Sequence, residues 1–216
     1  YYNNPRREIN RIKDYVTALT QKKVLSKKVV KDVLSKYRVP YKSFTVKPLT
    51  KPGIDFVMDI ANEDKIKERI RAVIDKESPI EEHYLMDKLT TMYNIPGTAK
   101  KAIAQLSEYV SAFDGFRKEV GGKAFYVDKP VETFRPSDEK IKRDITKIYP
   151  DEILAAVKCA IETNVGMTRD SVVKEVIALF GYGKKTKAVA DWIDRAIENA
   201  LDEKQLMITV DGVITT

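Results

Sequence analysis

Apolar residues recur along this chain in two matching series. Ile66, Ile70, Val73 and Ile74 fall three or four positions apart, the spacing of one helix face, and Ser78-Pro79 interrupts them. Leu85, Leu89, Met92 and Tyr93 mark a second helix, and Ile103, Leu106 and Val110 a third. The pattern then alternates from Phe116 to Val120 and from Lys123 to Val127 around Gly121-Gly122. A Gly-Gly pair supplies the positive φ angles of a tight two-residue turn, so this stretch predicts a hairpin. The series begins again at Pro150. Ile153, Val157 and Ile161 mark a helix, Gly166 breaks it, and Thr168 stands as cap for a helix carrying Val172, Val173, Val176, Leu179 and Phe180. Gly181 and Gly183 frame a turn, Val189, Trp192, Ile193 and Ile197 line a third helix, and Leu206–Val210, Asp211-Gly212 and Val213–Thr215 predict a closing hairpin.

The two series keep register. Ile70, Ile74, Ile80, Leu85, Leu89, Met92 and Tyr93 lie 87 residues before Val157, Ile161, Met167, Val172, Val176, Leu179 and Phe180. Beyond the turn the alignment reads as an offset of 86, pairing Ile103 with Val189 and Leu106 with Trp192, which makes Trp192 a core residue. Helix, break, helix, turn, helix and hairpin is the order of a winged helix, and the chain predicts two in tandem.

Upstream, Asn4 and Pro5 suit a helix start, followed by Ile9, Ile12, Val16 and Leu19 on one face. Ser26 is placed to cap a second helix with Val29, Val30, Val33, Leu34 and Tyr37 inside, ended by Val39-Pro40. Neither helix is apolar enough to form a core alone, so the segment is expected to dock on the repeats or on sequence before Tyr1. A chain opening without methionine inside such a pattern reads as a piece of a larger protein. The predicted class is mainly α with small β-hairpins. Its expected plan is a basic helical segment over 1–40, closing an upstream domain, then a linker over 41–63 and a first winged helix over 64–128. A second linker over 129–149 and a second winged helix over 150–216 complete it. Tyr41, Phe44, Leu49 and Phe56 are candidate docking side chains in the first linker, and Glu139–Ile148 is expected to be partly helical.

Composition narrows the function. Of 216 residues 33% are charged and 43% hydrophobic, as in a soluble, mostly helical protein. No apolar run approaches a membrane span and no charged-then-apolar leader opens the sequence, so a cytoplasmic protein without membrane contact is expected. A lone Cys159 fits a reducing compartment, and with His83 as the single histidine there are too few soft ligands for structural zinc. His83 has no Ser, Cys or second His nearby, and Glu81-Glu82 and Asp202-Glu203 read as solvated helix ends. No catalytic residue, metal site, cofactor or small-molecule ligand is therefore expected. The net charge of +7 is uneven: residues 1–51 carry 14 Lys/Arg against 3 Asp/Glu, a local net of +11, and the remainder is −4.

That imbalance, with lysines at the start of each third helix, points to nucleic acid. Lys184, Lys185 and Lys187 stand where helix N–H groups and the dipole favour phosphate, and Thr186 and Asp191 are candidates to reach base edges. Lys100 and Lys101 are their counterparts in the first copy, and Lys123 is a candidate phosphate contact at the first wing tip. Arg6, Arg7, Arg11, Lys13, Lys22, Lys23, Lys27, Lys28 and Lys31 represent the densest charge, with Arg6, Arg7, Arg11, Lys27 and Lys28 as the candidate contacts. The plainer reading of each is a solvated lysine on a helix or turn. A phosphate-binding loop is not expected at Gly183-Lys184, because Ala178 stands where that pattern needs glycine and Lys185 where it needs Ser or Thr.

Three stretches resemble the C-terminal region, of unknown function, of large bacterial superfamily 1 DNA helicases, which follows an endonuclease-like domain of the very-short-patch-repair type. Tyr1-Tyr2-Asn3-Asn4-Pro5-Arg6-Arg7-Glu8-Ile9 looks like the close of that domain. Pro79-Ile80, Leu85 and Leu89 are similar to the unit after it, and Tyr149–Ile153 with Phe180-Gly181-Tyr182 and Lys184-Lys185-Thr186 to the next. Ile95-Pro96-Gly97-Thr98 departs from the Gly-rich basic turn. The resemblance implies a DNA-processing parent. The leading expectation is a non-catalytic module that binds duplex or forked DNA through phosphates and contacts upstream domains of the same polypeptide. The rival is a protein-interaction or self-association module, expected because the repeats are near neutral, and it predicts an exposed apolar patch on the third helix or the wing.

Overall fold

A computed structural model describes residues 27–137, 141–164 and 166–216. The predicted helix over Ile9–Leu19, the cap at Ser26 and part of Glu139–Ile148 lie outside them. The protein is mainly helical, with two small antiparallel sheets. Helix α1 (Lys27–Tyr37) is followed by the short α2 (Ile54–Met58). The first unit then runs α3 (Glu63–Glu77), β1 (Ile80–Glu81), α4 (Glu82–Met92), α5 (Lys100–Ser111), β2 (Arg117–Val120) and β3 (Lys123–Tyr126). The second runs α6 (Pro150–Asn164), β4 (Met167–Thr168), α7 (Arg169–Leu179), α8 (Lys187–Asp202), β5 (Met207–Ile208) and β6 (Val213–Thr215). In both units the hairpin's second strand lies at the centre of the sheet, in the orders β1-β3-β2 and β4-β6-β5.

The three helices of each unit form where the apolar spacing predicts them, whereas α2 forms inside the stretch expected to be a linker. Ile66, Ile70, Val73 and Ile74 are fully buried along α3, as are Ile153, Val157 and Ile161 along α6. All three helices of a unit and its first strand begin 87 residues apart in the two copies, so the register does not slip in the turn. Leu106 therefore corresponds to Ile193 and Val110 to Ile197, all four buried, and Trp192 falls beside Gln105. Trp192 is core, as expected, but not in the place of Leu106: its ring lies 6.5 Å from Phe125 of the first unit, and its Nε1–H donates to the Ile148 carbonyl of the second connecting stretch at 2.9 Å. The hairpins also differ. Gly121 and Gly122 both take positive φ in the first. The second turns over Thr209–Gly212, with the Gly212 N–H donating to the Thr209 carbonyl and only Gly212 at positive φ.

Neither stretch read as a linker runs free. In 41–63 the Leu49 N–H donates to the Met92 carbonyl at 3.0 Å and the Gly53 N–H to Tyr93 at 2.9 Å, while Val57 is fully buried against the first unit. Gly53 is needed there, since a Cβ would sit 2.7 Å from the Tyr93 carbonyl oxygen. In the second stretch a 3-10 turn forms at Ile145–Lys147, and Phe134 is buried. The Phe134 N–H donates to the Tyr37 carbonyl at 2.7 Å, tying it to α1, which packs through Val33, Leu34 and Tyr37 on α6. The N-terminal segment thus crosses from the second unit to the first.

Where the stretches meet, charge is buried. Glu152 on α6 is fully enclosed and holds two guanidiniums, Arg135 at 2.8 Å and Arg143 on the same carboxylate. Arg135 also donates to the carbonyls of Glu77, Ser78 and Pro79, the C-terminal exit of α3. Burial raises the pKa of Glu152, but the two arginines outweigh it and hold the carboxyl below its ordinary range. Glu77 is enclosed too. It pairs with Lys88 at 2.9 Å and accepts from the Tyr41 hydroxyl and the Phe44 N–H, while the Arg143 guanidinium lies 4.5 Å from the Tyr41 ring centroid. The cluster fixes the two units and both connecting stretches to one another.

Candidate nucleic-acid interface

The lysines at the start of α8 are mostly engaged. Lys185 lies 2.7 Å from Asp170, which also pairs with Lys174 at 2.6 Å, and the two cations hold the Asp170 carboxyl down to about 2. Lys187 pairs with Asp191 at 2.7 Å. Thr186 caps the helix, its hydroxyl accepting from the Val189 N–H at 3.3 Å. Arg169 pairs with Asp194 and Glu198 across the same face. Lys184 is exposed. Thr186 and Asp191, the candidates for base contact, thus each have a partner on the helix itself, Asp191 in an exposed pair.

The other expected contacts are scattered. Lys100 and Lys101 are exposed on the first turn of α5, where Ala99 offers no side-chain cap. The groove beside them, about 860 Å³, is lined by Glu81, Glu82, Asp87 and Glu119, and Arg117 is already held by Glu82 and Glu119. Lys123 is not at a free wing tip. Its ammonium donates to the Thr146 carbonyl and lies 5.0 Å from the Trp192 ring, because the first hairpin packs against the second unit. Lys27 and Lys28 are exposed on α1, and Arg6, Arg7 and Arg11 lie outside the described residues. His83 is exposed, 3.1 Å from Asp87. Among the described residues no group of three or more His, Cys, Asp and Glu is placed to hold a metal, and no helix is long and apolar enough to cross a membrane.

A different surface gathers cations without pairing them. A groove of about 620 Å³ opens between α3, the end of α4 and the stretch from Phe44 to Phe56. Its floor is aromatic: Phe44 and Phe56 are half-buried, and Phe56 stacks on Tyr93 with centroids 5.8 Å apart. Lys47 stands on one wall and Lys65 and Arg69 on the other, with Glu68 the single acid. None of these three cations has an ion-pair partner among the described residues. The α3 pattern explains the second wall. Ile66 and Ile70 point inward, so the residue before each points out, one helical turn apart. The floor is held from below, since the enclosed Glu77 carboxylate accepts the Phe44 N–H at 2.6 Å. Burial raises the Tyr93 hydroxyl pKa against the opposing pull of Arg69.

Sequence reasoning missed this groove because its walls belong to two separate stretches, one of them read as linker. The available signal was Phe44 and Phe56, already singled out for docking, flanking Lys47.

One more surface stands out. The second hairpin exposes Met207 and Ile208 by more than half and Val210 completely. The strand in the same place in the first unit carries Arg117, Lys118 and Glu119 instead.

Comparisons of this chain with protein-family models, with curated proteins and with solved structures return no match.

Proposed function

We propose that both units are winged helices, and that the chain is a non-catalytic nucleic-acid-binding module of a larger helicase- or nuclease-type protein. The element order helix, strand, helix, helix, hairpin, with the hairpin's second strand central, supports the first part. The observation that carries the second is the groove of Lys47, Lys65 and Arg69 over Phe44, Phe56 and Tyr93. Unpaired cations around an aromatic floor suit a ligand with a phosphate backbone and flat bases. The contact is mainly electrostatic, aided by the +11 of the first 51 residues, and takes place in a reducing, cytoplasmic setting. Cys159 fits that setting: it is buried and unpaired, and burial pushes its thiol up to about 11, which makes it inert.

The test is a fluorescence-anisotropy titration with duplex, forked and single-stranded DNA across salt. Binding that weakens steeply with salt supports the reading; no binding at low salt to any of the three contradicts it.

The second hairpin favours another reading. An uncharged edge strand bearing Met207 and Ile208, with Val210 at the turn, suits contact with protein, either another domain of the parent or a second copy. Sedimentation of the wild type across concentration tests self-association.

A further inference from the structure

Resting on the nucleic-acid reading, we propose that the groove on the first unit takes a single strand, with bases stacked on Phe44 and Phe56 and phosphates against Lys47, Lys65 and Arg69. The strand form follows from the shape of the site. The rings lie on the floor of a concave groove, and a duplex, whose bases are already stacked inside, has no free base face to offer them. An unpaired strand does, and ring stacking tolerates any base because every base has a π-face.

The wall extends the site. Lys65, Arg69 and Lys76 fall at i, i+4 and i+11 on α3, within about 40° of one another around its axis. They span about 16 Å along it, enough for several successive phosphates. All three are exposed, and Lys76, like the others, has no ion-pair partner among the described residues. The groove between α4, α5 and the first hairpin sets Glu81, Glu82, Asp87 and Glu119 against Lys100, Arg117 and Lys123, and Arg117 and Lys123 are already engaged. It has no cationic excess to offer a phosphate backbone, whereas the groove over Phe44 and Phe56 sets three cations against Glu68 alone.

The experiment measures anisotropy of a labelled oligothymidylate, a hairpin duplex and poly-glutamate, with the whole chain, its F44L/F56L variant and an F56W variant. Leucine keeps apolar bulk on the floor but removes the π-face, and circular dichroism checks that the fold is kept. Oligothymidylate affinity is expected to fall on the order of tenfold or more per ring lost. The salt slope is expected to stay unchanged, and F56W to bind at least as well as wild type. Wild-type affinity in a folded F44L/F56L variant overturns the stacking site while leaving nucleic-acid binding standing. Binding of the duplex alone overturns the single-strand assignment. Failure of both DNAs to bind at low salt overturns the underlying reading, and equal binding of poly-glutamate overturns the ligand class.

Discussion

Replacing Glu152 by glutamine removes the carboxylate that two guanidiniums share in the enclosed junction. Glu152 has no solvent exposure, and Arg135 and Arg143 are 12% and 11% exposed, so water cannot replace the lost partner. Breaking a buried pair from one side costs about 3–5 kcal/mol, chiefly because the remaining charge is left uncompensated. For a chain of this size each kcal/mol moves the melting midpoint by about 2–4 °C, so a drop of roughly 6–20 °C is expected. The junction joins α3, both connecting stretches and α6, so the variant's melt should also broaden or split as the units uncouple. Calorimetry and circular dichroism read both effects. The sign with pH is fixed by the depressed carboxyl of Glu152. Its stabilisation is present above the ordinary carboxylate value of 4.5 and is lost as pH falls through the lower value in the folded state. Wild type should therefore lose its advantage over Glu152→Gln on acidification. The exposed pair Lys187–Asp191 is the control, and Asp191→Asn should leave the midpoint where it was. A Glu152→Gln midpoint within about 2 °C of wild type at neutral pH would refute this account of the junction.

Gly121→Ala should destabilise more than Gly122→Ala in chemical denaturation. Both glycines have positive φ, which costs about 1–3 kcal/mol for any other residue, but only at Gly121 would a Cβ also sit 2.8 Å from the Trp192 ring. Equal losses would mean that the first hairpin does not bear on Trp192. If the second hairpin drives self-association, Ile208→Lys should shift sedimentation of concentrated protein toward monomer and leave nucleic-acid affinity unchanged or slightly higher. Unchanged sedimentation of an associating wild type would exclude that hairpin as the contact.

The helices and their pairing were legible because each buries one face, and burial writes a three-to-four periodicity into the chain, as at Ile66, Ile70, Val73 and Ile74. The first hairpin was legible from Gly121-Gly122, where backbone conformation restricts residue choice. What escaped depends on partners distant in sequence. Lys185 looked free because Asp170 lies fifteen positions earlier on another helix. Lys123 looked like a wing tip because nothing near it predicts Trp192 above it. Trp192 is core as its helical spacing predicts, but that spacing is the same whether its own unit or Phe125 of the other covers it. The two stretches rich in proline and charge read as linkers because their anchors, Val57, Phe134, Arg135 and Arg143, are isolated residues without a period.

The most direct test of the central claim compares K47A/K65A/R69A with K184A/K185A/K187A in salt-dependent binding of single-stranded DNA. Each phosphate contact on a single strand contributes about 0.7 to the slope of log affinity against log salt, so losing three should lower its magnitude by about 2. The account predicts that loss, with weaker binding, for the groove variant, and a near wild-type slope for the α8 variant, whose three lysines lie outside that groove. The reverse result, with the α8 variant losing slope and the groove variant keeping it, would contradict the account and move the interface to the third helix of the second unit.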